Sequence, residues 1–254
     1  MFSDERKTAI LNLLSRNQRL TVTDAALELN VSESTIRRDL QDLEEQGLLK
    51  RTHGGAVPVE LASFEPSVQE KSLLFLKEKS DIASLALKYI GPGDTIVLDA
   101  GTTTLEIARQ LPDIPLTAVT NSLEISMELA KRKKVSPVVI GGELRSMTGA
   151  LVGAFSDLIL SRLNADKLFL GANGVHLTRG ITTANSLEAA TKQAMIQAAR
   201  EVYLVVDHSK LDQVHMVQVC NFSELDYLLS DRTLPTIYQE KLSFYGIRTV
   251  VAAQ

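Results

Sequence analysis

Residues 31–57 read VSESTIRRDLQDLEEQGLLKRTHGGAV and decide the fold of the N-terminal part of the chain. Apolar residues recur from Ile36 at positions i, i+4 and i+7, which predicts a helix with one buried face. Ser32 precedes this helix and is expected to be its N-cap. Arg37 and Arg38 are then left on the outer face.

Two helices are predicted before this one. Residues 4–16 carry apolar residues at helical spacing, and Thr23-Asp24 is expected to cap a second helix. After the third helix, residues 48–50 and 56–59 are expected to pair as a hairpin, because the glycines at 54–55 permit a tight turn. Three helices followed by a hairpin are typical of a winged helix-turn-helix domain.

The polar side chains of the third helix and the wing suit contact with DNA. Arginines on an exposed helix can reach guanine edges in the major groove or phosphates, and wing residues can touch the backbone or the minor groove. The candidate DNA-binding residues are Ser32, Ser34, Thr35, Arg37, Arg38, Arg51 and His53.

A competing interpretation is a small helical domain whose arginines pair with nearby carboxylates. Residues 1–57 hold eight Lys+Arg against nine Asp+Glu, so this region is not basic overall. The acidic residues of the third helix lie mainly towards its ends, whereas the basic residues lie in its middle and on the wing. This segregation of charge favours DNA binding.

The composition and net charge of the chain exclude several classes of protein. The chain of 254 residues is 44% hydrophobic, which supports a sizeable core. Its net charge of −4 argues against coating nucleic acid or membrane through bulk charge, so DNA binding requires a local patch. Cys220 is the only cysteine, which excludes an internal disulfide. Neither a signal-peptide core nor a membrane-spanning stretch is seen, so a cytoplasmic location is expected.

The rest of the chain predicts an α/β domain. A helix is expected at 70–90, and strands then alternate with helices, which indicates a mostly parallel sheet covered on both faces. The predicted strands are 95–98, 116–119, 138–140, 167–170, 202–206 and 227–229, and the helices between them are 122–132, 155–163, 186–200 and 235–244. The expected boundaries are 1–58 for the DNA-binding domain, 59–72 for a linker and 73–254 for the second domain.

The segment DAGTTT at 99–104 predicts a phosphate site. It lies where a strand ends and a helix begins, and free N–H groups at a helix N-terminus attract anions. Three threonine hydroxyls add donors. The segment matches neither the Walker lysine pattern nor GxGxxG, so a nucleotide is not implied. An ordinary strand-to-helix turn capped by threonines is the alternative.

Other polar clusters follow predicted strands and are expected at the same edge of the sheet. They are TNS at 120–122, GGELR at 141–145, GANG at 171–174 and DHSK at 207–210. Together they suit a polyhydroxylated anion, since sugar hydroxyls need donors and acceptors, although each alone also fits a solvated loop. Glu188 and Lys192 form either an exposed ion pair on one helix or two groups that reach the same pocket.

These segments resemble the DeoR family of bacterial transcriptional regulators. The match runs from Arg6 to TIRRDL at 35–40, and LKRTHGGA resembles the wing of that family. DAGTTT, TNS, GGELR, GANGV and DHSK resemble its sensor domain, which is similar to ribose-5-phosphate isomerase. The resemblance implies a phosphosugar effector whose phosphate lies at Thr102–Thr104. The candidate effector-binding residues are Asp99, Gly101, Thr102, Thr103, Thr104, Asn121, Glu143, Arg145, Asn173, Glu188, Lys192, Asp207 and Lys210.

The expected function is a repressor of a sugar catabolic operon that a phosphorylated sugar releases from double-stranded operator DNA. A homo-oligomer, either dimer or tetramer, is expected, without catalytic residues, metal or cofactor. The first alternative is a sugar-phosphate isomerase with a fused DNA-binding head, in which Glu188 or Asp207 serves as the base. The glycine-rich lysine loop of such isomerases is not found. The second alternative is a DNA-binding protein whose α/β domain is only an oligomerisation scaffold.

Overall fold

Two compact units make up the chain, residues 1–64 and residues 65–254. The structure is a computed structural model that describes residues 3–17, 19–46, 48–52, 54–57 and 68–252. The predicted fold class, a helix-turn-helix unit followed by a larger α/β unit, is confirmed.

The N-terminal unit is built on a small apolar core. Its elements are α1 Ser3–Asn17, β1 Leu20–Thr21, α2 Val22–Leu29, α3 Glu33–Glu45, β2 Lys50–Thr52 and β3 Gly55–Val57. The three strands are antiparallel, with β3 between β1 and β2. Ile36, Leu40 and Leu43 of α3 are buried beside Ile10 and Leu14 of α1, which confirms the predicted inner face of the third helix.

Two local predictions in this unit are wrong. The cap of α2 is Thr21, whose hydroxyl accepts the Asp24 N–H at 3.1 Å, because the helix begins at Val22 instead of after Thr23. The first wing strand begins at Lys50, later than predicted, since Leu49 is buried in the core. Residues 53, 58 and 59 of the predicted wing lie outside the described residues.

A seven-stranded parallel sheet is the centre of the C-terminal unit. The elements of this unit are α4 Val68–Ser72, α5 Leu76–Ala86, β4 Thr95–Leu98, α6 Thr102–Gln110, β5 Leu116–Thr120, α7 Leu123–Leu129, β6 Val135–Val139, β7 Glu143–Arg145, β8 Ala150–Val152, α8 Ala154–Leu160, β9 Ala165–Leu170, β10 Gly174–His176, β11 Gly180–Thr183, α9 Ser186–Ala198, β12 Ala199–Val205, β13 Val217–Cys220, β14 Tyr227–Ser230, α10 Thr236–Phe244 and β15 Arg248–Val251. The sheet order is β15-β14-β12-β9-β4-β5-β6, and every pair is parallel.

Apolar side chains cover both faces of this sheet. Val97 and Leu168 belong to one buried cluster, whereas their neighbours Ile96 and Phe169 belong to the other. Successive side chains of a strand point to opposite faces, so each face has its own core. Within the described part of the chain, no helix is long and apolar enough to cross a membrane.

The order of the strands locates the crevice in which open α/β sheets bind ligands. From β4 the chain proceeds to β5 and β6 on one side, and then returns to β9 on the other side of β4. Ligands bind at such a switch point, beyond the carboxyl ends of the strands. Asp99 follows β4 there and Gly171 follows β9.

The segment before the sheet departs from the prediction. One helix was predicted over 70–90, but α4 and α5 are separated by residues 73–75, where Phe75 has the left-handed φ of 53°. Neither glycine nor proline marks the break in the sequence. The helix begins at residue 68, two residues before the predicted start and within the predicted linker.

The short strands outside the main sheet were not predicted. These are the β7–β8 hairpin and the sheet of β10, β11 and β13, and β15 at the edge of the main sheet was also missed. Most have three or four residues, which is too short for a clear alternation of apolar and polar side chains.

Candidate functional site

The N-terminal part of α3 presents a row of polar side chains. Ser32 caps the helix, accepts the Thr35 N–H at 3.3 Å and lies 2.8 Å from the hydroxyls of Ser34 and Thr35. Arg37 and Arg38 are exposed one turn later. The outer surface of α3 therefore offers hydroxyls and two cations together.

The acidic residue in the middle of α3 does not oppose this surface. Asp39 is buried and accepts two hydrogen bonds from the guanidinium of Arg6, one of them at 2.9 Å. Arg37 is 3.3 Å from Glu33 in an exposed pair, which is a weak interaction. Among the described residues, no carboxylate lies within ion-pair distance of Arg38. The competing interpretation, in which local carboxylates neutralise the arginines, accounts for only one of the two.

The wing strand β2 carries Arg51, the one predicted wing residue with a positive charge that the structure describes. The backbone N–H of Arg51 on β2 donates to Glu44 at 2.8 Å, and the Arg51 guanidinium lies 3.9 Å from the same carboxylate. Arg51 is exposed, so its side chain remains accessible. His53, the other wing candidate, lies outside the described residues.

A pocket opens at the switch point of the C-terminal unit. It lies among the start of α6, the loop after β9, the end of β12, α9 and the α4–α5 segment. Its polar lining residues are Lys71, Lys79, Gly101, Thr102, Thr103, Thr104, Thr148, Gly171, Asn173, Glu188, Lys192, Asp207, Lys210 and His215.

The start of α6, which the sequence predicts as an anion cradle, lies between a strand and a helix as expected. Gly101 is the N-cap, and the first N–H groups of a helix have no partner within it. Thr102 and Thr103 are partly exposed and line the pocket. Thr104 is buried, and its hydroxyl donates to the Asp99 carbonyl oxygen at 2.6 Å. Thr104 therefore shapes the turn and does not keep its proton for a ligand.

Asp99 and Lys192 form a buried ion pair beneath this cradle. The Lys192 ammonium donates to the Asp99 carboxylate and to the Gly171 carbonyl oxygen at 3.2 Å. The same carboxylate accepts the Gly171 N–H at 2.9 Å. Burial raises the pKa of Asp99, and the ammonium of Lys192 opposes that rise. The pair fixes the ends of β4 and β9 on either side of the pocket.

Glu188 does not pair with Lys192, although the two lie four residues apart. Its carboxylate is 2.5 Å from Arg145 and accepts the hydroxyls of Thr148 at 2.7 Å and Thr183 at 3.3 Å. Glu188 and Lys192 are both buried and line the pocket. The interpretation as an exposed ion pair is therefore wrong.

Asp207 has one oxygen that lacks a hydrogen-bond partner among the described residues. Its Oδ1 accepts the Ser209 N–H at 2.9 Å and also the Ser209 hydroxyl. Its Oδ2 is buried, and no donor among the described residues reaches it. Lys210 lies on the same side, and burial lowers the pKa of its ammonium. A buried acceptor without a partner is costly, so one that lines a pocket indicates a ligand donor.

Four predicted residues do not line the pocket, namely Asp99, Asn121, Glu143 and Arg145. Asn121 accepts the Ala100 N–H at 2.9 Å and donates to the Leu151 carbonyl oxygen at 3.1 Å, so it holds two loops together. It follows β5, one strand away from the switch point. Glu143 is exposed on β7. Arg145 also lies outside the lining and reaches it only through Glu188.

The α4–α5 segment supplies residues that the sequence analysis missed. Lys71, Phe75 and Lys79 line the pocket, as do Thr148 and His215 from other loops. Phe75 packs its ring edge-on against His208, with the centroids 5.2 Å apart. A lysine on an amphipathic helix normally faces solvent, so no sequence signal marked Lys79. The left-handed conformation of Phe75 is the strongest local sign, because such strain is common at functional sites.

Comparison with known proteins bears on both units. The model of the DeoR-like helix-turn-helix domain matches residues 6–61, and that of the DeoR C-terminal sensor domain matches residues 75–232. The transcriptional regulator GlpR of Haloferax volcanii is 38% identical, over 98% of each chain. The transcriptional repressor GlcR of Bacillus subtilis is 33% identical, over 100% of this chain and 98% of that protein.

Among solved structures, a ribose 5-phosphate isomerase A from Methanocaldococcus jannaschii matches 52% of this chain and 53% of that chain, with 21% identity and a TM-score of 0.39. Matches to both family models, together with relatives that span nearly the whole chain, show that this protein belongs to the DeoR family of DNA-binding transcriptional regulators.

Proposed function

We propose that this regulator represses a sugar catabolic operon and that a phosphorylated sugar bound in the pocket releases it from the operator. The unpartnered oxygen of Asp207 carries this proposal, since it lies in one pocket with the threonine-bearing start of α6. A phosphate fits the N–H groups and hydroxyls at Thr102 and Thr103. A sugar hydroxyl fits the Asp207 acceptor.

The other lining groups suit the remaining hydroxyls of such a ligand. Asn173 offers an amide, Glu188 a carboxylate and Lys210 a cation. Sugars require donors and acceptors arranged around a ring, so this mixture favours a polyol over an apolar ligand. Asp99 and Lys192 bind each other and serve to hold the walls in place.

Release of DNA requires that the sugar bind better to the arrangement of the protein that misfits the operator. We propose a homodimer or tetramer, because two recognition helices about 34–36 Å apart match one turn of DNA. Exposed apolar side chains on α8 support self-association, with Phe155 72% and Leu158 53% exposed. Sedimentation velocity at micromolar concentration tests this part, and a monomer would contradict it.

We propose that the chain is not an isomerase. A base must be free to take a proton beside the reacting carbon. Glu188, one of the two candidates, is engaged by an arginine and two hydroxyls and does not meet this requirement, so Asp207 is the only candidate base of the two that has an unengaged oxygen among the described residues. The relatives named above are regulators. Incubation with pentose and hexose phosphates checks this, and sustained product formation would overturn it.

The proposed domain boundaries follow from these roles. Residues 1–58 form the DNA-binding domain, and the effector domain begins at Val68 instead of residue 73, since α4 already lines the pocket. A regulator with this function acts on DNA in the cytoplasm.

The test of the proposed function is fluorescence anisotropy on DNA from the protein's own promoter. The probes are glucose 6-phosphate, fructose 1-phosphate, fructose 6-phosphate and ribose 5-phosphate, each paired with its unphosphorylated sugar. At least one phosphate should release the DNA while its parent sugar does not, and Thr103→Val should prevent that release. A thermal-shift screen supports the choice of probe, since a ligand at a hundred times its Kd adds about 2.7 kcal/mol. If the ligand concentration that releases the wild-type protein from DNA also releases Thr103→Val, the cradle is misplaced. If none of the sugar phosphates changes DNA binding of the wild-type protein, the proposed function is contradicted.

A further inference from the structure

His208 follows β12 and is held by Asp231, which follows the neighbouring strand β14. The backbone N–H of His208 donates to Asp231 Oδ1 at 2.7 Å, and its ring Nδ1 lies 2.8 Å from Asp231 Oδ2. A carboxylate oxygen only accepts, so Nδ1 carries a proton. Burial tends to raise the pKa of Asp231, but hydrogen bonds from His208 and Arg232 lower it overall, so this acceptor stays ionised. The main sheet therefore fixes the orientation of the His208 ring.

The other side of the His208 ring contacts the turn between α4 and α5. The ring meets that of Phe75 edge-on, with the centroids 5.2 Å apart and the planes at 83°. Phe75 has the left-handed φ of 53°, and its side chain makes no cap for α5. This backbone conformation is unfavourable for a residue other than glycine, so the surrounding structure must hold it. The His208 ring supplies one such contact.

Residues 68–79, which we call the strap, form one wall of the pocket. Val68, Leu74 and Phe75 of the strap line the pocket directly. The Lys79 ammonium donates to the Leu74 carbonyl oxygen at 2.6 Å and to a second carbonyl oxygen of the strap. These bonds join the turn to α5, so the two move as one piece.

The outer side of the strap is poorly packed. Leu73 and Leu76 are 77% and 53% exposed. At the start of the strap, the Val68 N–H donates to the Met147 carbonyl oxygen at 3.0 Å. Segments with few buried apolar contacts open locally at a low cost in free energy. The strap has this character, and its contact with His208 is on the side of the pocket.

We propose that the strap opens and closes over the pocket and that His208 is a positioning residue that latches it closed through Phe75. The effector enters and leaves while the Phe75 ring is away from His208, and closure then encloses it. The identity of the ligand rests on the proposed function, whereas the latch is also a property of the free protein. Because α4 is the first described element of the effector domain, closure also sets where the chain from the DNA-binding domain enters this domain.

The first test needs no ligand. Hydrogen exchange of the amides at residues 72–76 is compared in full-length wild type, Phe75→Leu and His208→Asn. Asparagine keeps a side-chain donor for Asp231 but lacks the ring. Loss of an edge-to-face pair predicts about twofold to tenfold faster exchange in both variants. Phe244→Leu is the matched control, because Phe244 meets its neighbouring tyrosine edge-on at the same 5.2 Å but does not line the pocket. The control should leave these amides unchanged.

The second test is the kinetics of effector binding. The probe is whichever of the four sugar phosphates shifts the wild-type melting temperature most, mixed with the protein by stopped flow. An unlatched strap exposes the pocket more often, so the association and dissociation rates should both rise about twofold to tenfold in each variant. The double variant should be little faster than either single one, because both remove the same contact. Damage to the site itself would raise the dissociation rate alone.

Several results would overturn the latch. They are unchanged exchange at residues 72–76 in either folded variant, an equal effect in Phe244→Leu, and an association rate that does not rise. If one variant does not fold, the other decides. If neither folds, exchange in the wild type decides, since amides at 72–76 that exchange only with global unfolding contradict an opening strap and faster exchange supports it. If exchange changes as expected but no sugar phosphate binds the wild type, the latch is supported and the proposed function fails.

Discussion

Asp39, in the middle of the recognition helix, accepts two hydrogen bonds from Arg6 on α1. The two side chains are 3% and 12% exposed, so the pair is largely removed from water. It turns the one central carboxylate of α3 away from the surface on which Arg37 and Arg38 lie. The pair therefore joins two helices and also keeps negative charge away from the surface proposed to contact DNA.

Replacement of Asp39 by Ala should destabilise the N-terminal unit by about 3 kcal/mol, because it breaks a largely buried ion pair that has two hydrogen bonds. Hydrogen exchange of α3 amides in the full chain should accelerate by about a hundredfold. Asp42→Asn is the control, since the Lys7–Asp42 pair joins the same helices but its carboxylate is 41% exposed. An equal acceleration in both variants would contradict a special role for Asp39.

Arg37→Ala and Arg38→Ala should each weaken operator binding while leaving effector binding unchanged. Loss of one base or phosphate contact costs about 1–3 kcal/mol per protomer. Fluorescence anisotropy measures operator binding, and calorimetry measures effector binding. Lys131→Ala serves as the control, because Lys131 is an exposed cation on the other unit. If Lys131→Ala reduces DNA affinity as much as Arg38→Ala does, the effect of Arg38 reflects only its charge and the proposed contact of Arg38 with DNA is contradicted.

Asp207→Asn should weaken effector binding without loss of stability. Asparagine keeps an acceptor for the Ser209 N–H but offers an amide in place of the unpartnered carboxylate oxygen. The mismatch should cost about 1–3 kcal/mol of binding, or roughly tenfold to a hundredfold in Kd. The melting temperature should stay the same or rise, because a buried unpartnered charge is removed. The surface variant Glu240→Gln should change neither quantity, and a large fall in melting temperature for Asp207→Asn would assign Asp207 a structural role instead.

Effector affinity should fall as the pH rises above 8. Burial lowers the pKa of Lys79 to about 8. The negative charge of Asp207 opposes this lowering of the pKa, whereas the positive charges of Lys210 and Lys71 add to it. A bound anion favours the charged ammonium and raises this pKa, so binding takes up a proton from about pH 8 upward. The phosphate is already dianionic there, since its second pKa is about 6. Calorimetry between pH 7 and 9.5 should show this fall, and it should be shallower in Lys79→Met. An affinity that rises with pH would contradict the prediction.

The regular elements and the strand-to-helix turn at the proposed phosphate cradle could be predicted because their residues obey local rules. The inner face of α3 follows from the spacing of Ile36, Leu40 and Leu43, and β4 matches its predicted range of 95–98. The cradle at Thr102 and Thr103 follows from its place between a strand and a helix. Each of these features depends on neighbours along the chain.

Features set by contacts between distant residues could not be predicted in this way. Asn121 has the residue type of a sugar ligand, but the chain fold directs it to Ala100 and Leu151. Lys79 has the position of a surface lysine, but the turn at Phe75 folds back over it and buries it. The burial of a side chain depends on which segment covers it, and residue type and spacing do not encode that.

The reciprocal coupling of DNA and sugar tests the central claim most directly. Calorimetric titration of the most effective sugar phosphate should be done on the free protein and on the protein saturated with promoter DNA. If the sugar releases the DNA, then DNA must weaken sugar binding by the same factor by which sugar weakens DNA binding, typically about 5–150-fold. Equal Kd values with and without DNA, or tighter sugar binding in its presence, would contradict the account.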